Sequence, residues 1–457
     1  MAMAPSRPVS DMLTQNLGRL RLHVPGHKGN ALFGGGETEA FDTTELPVTD
    51  DLYAPAGAIK KAQERMAAAY GAAHTLMLTG GSTAGILTML LYAASPGDTV
   101  ILPRNAHHSC LSACILGDLR PVYVPLEVTP DGYGYAPEAG FLKAIEAHPG
   151  ARAVLVTRPD YYGGMVPLAR IAKAAHEKGM RLLVDEAHGA HLLWLGNFIT
   201  AASGGADLWV QSAHKTLPAL TAGAMLHLAK GEDSRLALQR LRLVQTSSPA
   251  FYLMKSLDDA VAWMSDNGKA ALTALRERLA DFRPRLAEWG LADAHASWRT
   301  LPMEFDSTRL VIASPGGGYA LASYLAGQGI DVEMADAARI VCVLTVMDGP
   351  ETFSRLSSAL EKAPRPAAQV PLFLASCPLP RQVLPPRRAA FAKQEQVPFS
   401  KAAGRVSGVS AGLYPPGTPV VAPGEEITPE VLEILLSAPE ENRFGLWDGQ
   451  LVCVAQS

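Results

Sequence analysis

Cysteine is scarce in this chain, with five among 457 residues. An odd, scattered set makes no disulfide framework and fits a reducing cytoplasm. Cys110 and Cys114 lie four apart in a helix-like stretch without a matching cysteine-rich partner. They read as core thiols rather than half of a metal site, so no metal is expected. Apolar runs long enough to cross a bilayer are missing, and the first thirty residues lack the apolar core of a secretory signal. Excess charge of one sign is missing as well. Forty basic side chains face 44 acidic ones, for a net charge of −4, which gives neither nucleic acid nor an anionic membrane an electrostatic handle. There is no internal repeat and no low-complexity tract. What remains is a globular composition, 48% hydrophobic and 18% charged, long enough for a large core and for two or three domains.

Strands and helices alternate along most of it. Residues 58–70 carry the spacing of an amphipathic helix, and Thr75–Leu78 that of a strand. Helical segments are expected at Gly85–Ala94, Phe141–Ala147 and Leu168–Lys178. Strands are expected at Thr99–Leu102, Pro121–Leu126, Ala153–Thr157, Arg181–Asp185, Asp207–Ser212 and Ala222–Leu228. Such alternation predicts an α/β fold with a mainly parallel sheet covered by helices. The expected division is an N-terminal arm at 1–30, a large domain at 31–254, a smaller α/β domain at 255–362 with strands Arg309–Ala313 and Ile340–Val346, and a last region at 363–457. That region opens on a proline-rich linker, Ala363–Pro386.

Chemistry concentrates at strand ends. Arg181-Leu182-Leu183-Val184 delivers Asp185, with Glu186-Ala187-His188-Gly189 behind it. Some thirty residues on, Leu208-Trp209-Val210-Gln211 delivers Ser212-Ala213-His214-Lys215-Thr216. Pyridoxal 5'-phosphate (PLP) needs such a pair: a lysine amine to hold its aldehyde as a Schiff base, and a carboxylate to pair with the protonated ring nitrogen. Taken alone, Lys215 is an ordinary surface lysine and Asp185 a helix cap. Two neighbouring strand ends with complementary roles, where α/β sheets bind ligands, favour the cofactor. Thr79-Gly80-Gly81-Ser82-Thr83-Ala84-Gly85, between a strand and a helix, offers backbone amides, hydroxyls and a helix N-terminus to a phosphate; its plainer reading is a capped glycine turn. Ser212 and His214 would complete the cup. His107, in Pro103-Arg104-Asn105-Ala106-His107-His108-Ser109, is either a ring-stacking proton shuttle or a structural histidine. Thr157-Arg158-Pro159-Asp160-Tyr161-Tyr162-Gly163 is the third strand-end turn.

These segments resemble the bacterial ornithine/lysine/arginine decarboxylases of the aspartate-aminotransferase fold, in their compact form without an N-terminal wing domain. The likeness rests on His23-Val-Pro-Gly-His-Lys-Gly29, Asp50-Asp-Leu-Tyr-Ala-Pro55, Gly81-Ser-Thr-Ala84, Arg104-Asn-Ala-His107, Val184-Asp-Glu-Ala-His188, Ser212-Ala-His-Lys215, Gln245-Thr-Ser-Ser-Pro249 and Leu413-Tyr-Pro-Pro-Gly-Thr-Pro-Val-Val-Ala-Pro-Gly-Glu425. It implies a PLP-dependent enzyme of fold type I that decarboxylates a basic amino acid, in the cytoplasm, as a homodimer or higher even-numbered oligomer. It assigns Lys215 to the aldehyde, Asp185 to the ring nitrogen, and Ser82, Thr83, Ser212 and His214 to the phosphate. His107 would stack on the ring, and Ala187 and His188 would line the cofactor. Thr246, Ser247 and Ser248 would reach the partner subunit's cofactor. Glu425 is a candidate for the substrate's cationic tail, its other reading being an exposed loop glutamate. The chain departs from the family's pattern at Asp160, where Thr is common; a carboxylate near the ring oxygen would disfavour its phenolate form. Another fold-type-I PLP reaction stays open, an aldol cleavage or a transamination with Arg309 or Arg339 as the carboxylate clamp, and a non-catalytic regulatory homologue is the other alternative.

Overall fold

A computed structural model describes residues 6–31, 37–196, 198–364, 378–414 and 417–456. Most of the proline-rich stretch at Ala363–Pro386 lies outside the described residues. The central sheet has seven strands: β1 (His74–Leu78), β2 (Thr99–Pro103), β3 (Arg120–Val124), β4 (Ala153–Thr157), β5 (Arg181–Asp185), β6 (Leu208–Ser212) and β7 (Ala224–Leu228). Their spatial order is β1-β7-β6-β5-β4-β2-β3. β2 runs parallel to β3 and β4, whereas β7 is antiparallel to both its neighbours. Every residue of β6 and β7 is buried. Unbroken apolar runs such as Ala-Val-Leu-Val at the start of β4 belong in a sheet covered on both faces. The fold is the expected α/β architecture.

Two compact units divide the chain, and the boundary falls inside β5. The first holds Met1–Tyr92, Val184–Arg276 and Thr345–Met347; the second holds Ala93–Leu183, Glu277–Leu344 and Asp348–Ser457.

In the first unit the arm contains a helix, Pro8–Gln15, that the sequence reading did not anticipate. Val9 and Leu13 are buried. Asp258, in the long helix Phe251–Arg285, accepts from the Val9 amide at 2.9 Å and pairs with Arg65. A carboxylate thus answers the free amides at a helix start. Asp50, at φ +67°, accepts from the amides of Asp51, Ala56, Gly57 and Ile59. Partial burial pushes its carboxyl up, but these four donors outweigh burial and hold it below the ordinary value. The turn they make leads into helix Ala58–Tyr70, whose buried Ile59, Ala62, Met66 and Tyr70 repeat at helical spacing.

The second unit adds an antiparallel sheet, Ala292–Asp293, Arg309–Ala313, Arg339–Val343 and Met334–Ala335 in that order. It packs on an aromatic cluster in which Tyr133 and Trp298 stack at 4.2 Å. The C-terminal part has its own core of Val421, Ile427, Val431, Leu435 and Leu451. No helix among the described residues is long and apolar enough to cross a membrane.

Gly85, in helix Gly81–Ala93, lets that helix lie close to the sheet. A Cβ there would come 2.4 Å from Val210 Cγ2 and 2.8 Å from Leu78 Cδ1. Both neighbours are buried in strands and have little room to give. Gly85→Ala is expected to cost about 1–3 kcal/mol of stability, measured by denaturant unfolding; an unchanged midpoint would show that the helix can shift freely.

Candidate active site

Pairing register brings the motif ends together in the first unit. Leu78 lies opposite Ala224, and Ala224 opposite Ser212, so the turn after β1 and the segment after β6 leave the sheet at one edge. The Gly81 amide donates to Ala222 O at 3.0 Å across that edge. Ser82 is 9% exposed and Thr83 exposed, in the first turn of the helix that follows. Three hydroxyls of the same unit, on Thr79, Ser212 and Thr216, are buried without a hydrogen-bond partner. A Cβ built at Gly81, whose φ is +68°, would meet nothing within 4 Å. Orphaned hydroxyls beside an open glycine turn at a helix start have the donor set a phosphate requires.

Lys215 sits in the short helix Ala213–Thr216 directly after β6, and its Nζ lies 3.0 Å from His188 Nε2. Asp185 ends β5, 3% exposed, and accepts from the Ala187 amide at 3.1 Å. Burial pushes its carboxyl above the ordinary value, opposed by the charge of Lys215 and by that amide. A cation delivered to this carboxylate would bring it back down, as a ring-nitrogen partner must. His214 donates through Nδ1 to Gly223 O at 3.1 Å, leaving Nε2 for another partner. Burial lowers its pKa, and the Lys215 charge adds to that against the Gly223 bond. Asp185, Ala187, His188, Ser212, His214, Lys215, Ser82 and Thr83 therefore all belong to one unit, and the residues present fit PLP.

Two groups escaped the sequence reading. Behind the strand ends, Thr75 on β1 donates to His227 Nδ1 on β7 at 2.8 Å. His227 Nε2 donates to Gln211 Oε1 on β6 at 3.1 Å, and Gln211 Nε2 to Glu186, just past β5, at 2.7 Å. The amide of Ala201 takes the other Glu186 oxygen. All four side chains are at most 3% exposed. Gln211 directly precedes Ser212, and Glu186 directly follows Asp185. Only alternation on buried strands hinted at these polar residues. The second group ties Gln245 to the glycine turn: its Oε1 accepts from the amides of Thr79 and Gly80 at 2.9 and 3.2 Å. Its Nε2 donates to the Tyr53 hydroxyl, which donates to Thr246 O at 2.6 Å. Thr246, Ser247 and Ser248 are exposed.

Three singled-out residues fall in the second unit. His107 caps helix His108–Gly117, its Nδ1 accepting from the Ser109 amide and lying 2.7 Å from Ser109 Oγ. An accepting Nδ1 leaves the ring proton on Nε2. Asp160 is partly buried and accepts from the Tyr133 hydroxyl and the amides of Tyr162 and Gly164 at 2.6, 2.9 and 2.8 Å. It closes its own turn, although burial pushes its carboxyl up. Glu425 departs from both expectations. It is 1% exposed, and Arg104 takes both its oxygens at 2.7 Å. A carboxylate so neutralised is no open acceptor for a substrate cation. Cys110 and Cys114 are buried thiols outside any disulfide, and burial pushes Cys114 up to about 12.

The major-domain model of the Orn/Lys/Arg decarboxylases matches residues 8–316, and their C-terminal-domain model matches 373–443. The protein YaaO of Bacillus subtilis (strain 168) is 35% identical over 433 residues, covering 90% of each chain. An arginine decarboxylase of Bacillus anthracis is 30% identical over 446 residues, covering 91% of this chain and 89% of the relative. Among solved structures, the E. coli constitutive lysine decarboxylase superposes with a TM-score of 0.83 at 20% identity, covering 98% of this chain and 81% of that one. That likeness is one of fold, the type I fold of PLP-dependent enzymes.

His227 is fully buried, and burial lowers its pKa from 6.5 to about 3. Between these values the unfolded chain binds a proton that the folded chain refuses. The stability from neutral His227 is therefore complete above pH 6.5 and is lost as pH falls through about 3. His227→Gln, which can still accept from Thr75 and donate to Gln211, is expected to flatten stability against pH in that window. Urea midpoints measured across it would decide, and identical slopes in both proteins would refute the assignment.

Proposed function

The chain belongs to the Orn/Lys/Arg decarboxylase family of PLP-dependent enzymes, and on that premise we propose that it removes the α-carboxylate of arginine as CO₂ and releases the corresponding amine, a polyamine precursor. The observation that carries this reading is the pairing of Lys215 and Asp185 on buried strand ends within one unit, beside orphaned hydroxyls and an open glycine turn. Arginine is preferred to lysine because the arginine decarboxylase is 30% identical over 446 residues, against 22% over 529 for the constitutive lysine decarboxylase of E. coli. An aminotransferase would want an arginine clamp for the α-carboxylate. Arg339 already answers Asp131 and Asp336, and Arg309 is 1% exposed, which disfavours that alternative.

When bound, PLP supplies a cationic ring that accepts the electron pair left on Cα as the carboxylate departs. Asp185 keeps the ring nitrogen protonated by pairing with it in a water-poor site. Ser82, Thr83, Ser212 and His214 hold the phosphate, aided by the helix N-terminus, with His214 using the Nε2 that its Gly223 bond leaves over. Ala187 lines the cofactor. His188 steadies the Lys215 amine, the group that would hold the cofactor's aldehyde. The same amine would supply a proton to Cα; His107, with its proton on Nε2, is the second candidate donor. Incubating the PLP-loaded protein with arginine, lysine and ornithine separately, and measuring CO₂ and amine, tests the proposal. Arginine should turn over at least about tenfold faster than the others, a difference of about 1.4 kcal/mol in barrier, and Lys215→Ala should abolish turnover. Preference for lysine or ornithine would overturn the substrate, and no CO₂ from any of them the reaction.

The active assembly is proposed to be a homodimer whose sites share Thr246–Ser248. That exposed segment is held by Tyr53 and Gln245, and Leu20, Leu22, Val24 and Leu243 of the same unit are 64–86% exposed. Apolar side chains so open suit burial against a second copy. Mixing Lys215→Ala protomers with protomers altered at Thr246–Ser248 should restore activity, since one site of the heterodimer then has both an intact lysine and an intact donated segment. Verified heterodimers without recovered activity, from parents that still bind PLP, would exclude shared sites.

A further inference from the structure

The pair that withdraws Glu425 from the substrate gives it another task. Arg104 is 6% exposed and follows β2 directly. Besides both Glu425 oxygens, its guanidinium donates to Pro419 O at 3.1 Å and Val420 O at 2.9 Å, and it lies 4.7 Å from the centre of the Tyr123 ring. Glu425 also accepts from the Ala422 amide at 2.7 Å, so its loop is folded around the carboxylate. Few interactions hold a side chain as firmly as a buried bidentate pair backed by two carbonyl acceptors. Three residues after Arg104 comes His107, and the backbone between is tight: the Arg104 amide donates to Val124 O, the Ala106 amide to Pro103 O, and the Cys110 amide to His107 O. Rotating or shifting Arg104 therefore moves the cap.

The far end of the same helix is gripped by the same C-terminal segment. Arg387 donates to Ile115 O and Leu116 O, both at 3.0 Å, in the last turn of His108–Gly117. A cation on the terminal carbonyls of a helix is favourable, though exposure weakens it. Residues 387–425 thus hold both ends of the helix that His107 begins, and every contact lies within the second unit.

We propose that Arg104 and Glu425 are positioning residues for His107: the C-terminal segment sets the place of the imidazole through this ion pair. This rests on the reading of His107 given under Proposed function. Neither residue touches substrate or cofactor in this account. Their effect passes through one imidazole, and that separates positioning from general stabilisation.

A double-mutant cycle on the PLP-loaded dimer tests it, read by kcat, KM and the visible circular-dichroism band of the bound cofactor. Glu425→Gln should lower kcat about tenfold with little change in KM, and should change the band in the direction that His107→Ala does. In the His107→Ala background the same substitution should lower kcat less than about twofold, because coupled residues are not additive. Should Glu425→Gln fail to fold, Arg104→Lys, which keeps the charge but loses the fork, carries the same cycle. An equal loss in both backgrounds overturns the proposal and leaves the role of His107 standing. So does a Glu425→Gln enzyme with unchanged kcat and band. A His107→Ala enzyme with wild-type kcat and band overturns both this proposal and the histidine's role.

Discussion

Much of this protein depends on a hydrogen-bonded chain that crosses three adjacent strands and ends just past a fourth: Thr75, His227, Gln211 and Glu186. A buried polar group without a partner costs about 1–3 kcal/mol, so the chain is satisfied in one strand register and in no other. A slip by one residue would turn each of these side chains to the opposite face of the sheet. The donors also run one way. The hydroxyl donates to the imidazole, the imidazole to the amide, and the amide to the carboxylate, which requires the neutral histidine that burial enforces. Asp185 and Ser212 are direct neighbours of the last two members, so the arrangement that satisfies the interior also sets the edge where the reactive groups emerge.

On that edge the charges are left incomplete, in contrast with the interior behind. Asp185 is buried enough for its carboxyl to be pushed up, and its own partners only partly offset this. Hydroxyls on Ser212, Thr79 and Thr216 lack partners. Native interiors seldom leave such groups orphaned, and a site made to receive a charged, phosphorylated cofactor is one place where they persist. Gln245 links this edge to the exposed segment that follows it, because one side chain bonds both the glycine turn and Tyr53.

The second unit follows a different rule. Three of its acids are already matched: Asp160 by a tyrosine and two amides, Glu425 by Arg104, Asp336 by Tyr162 and Arg339. Such acids organise backbone. Asp160 is a case in point. Read as a family departure, it stood to disturb the cofactor's ring oxygen, yet here it closes the turn in which it sits.

Local pattern was enough for several strands of the sheets. Ala153–Thr157, Arg181–Asp185 and Arg309–Ala313 lie where their apolar runs end, and the order of motifs along the chain points to the family, because strand-end residues are placed by short, local rules. Helix Pro8–Gln15 was missed because its stability comes from Asp258, about 250 residues away. Partnership across the sequence was equally out of reach. Nothing in a Pro-Gly-Glu loop says that its glutamate pairs with an arginine 321 residues earlier, and nothing in Gln211 or His227 separates a strand's solvent face from a buried relay. The sequence by itself determined the alternation of strands and helices and the identity of the lysine and aspartate at their ends. Only the tertiary structure decided which acids remain open to a ligand and which are consumed within the protein, since a carboxylate's role depends on the cation that reaches it, and that cation comes from elsewhere in the chain.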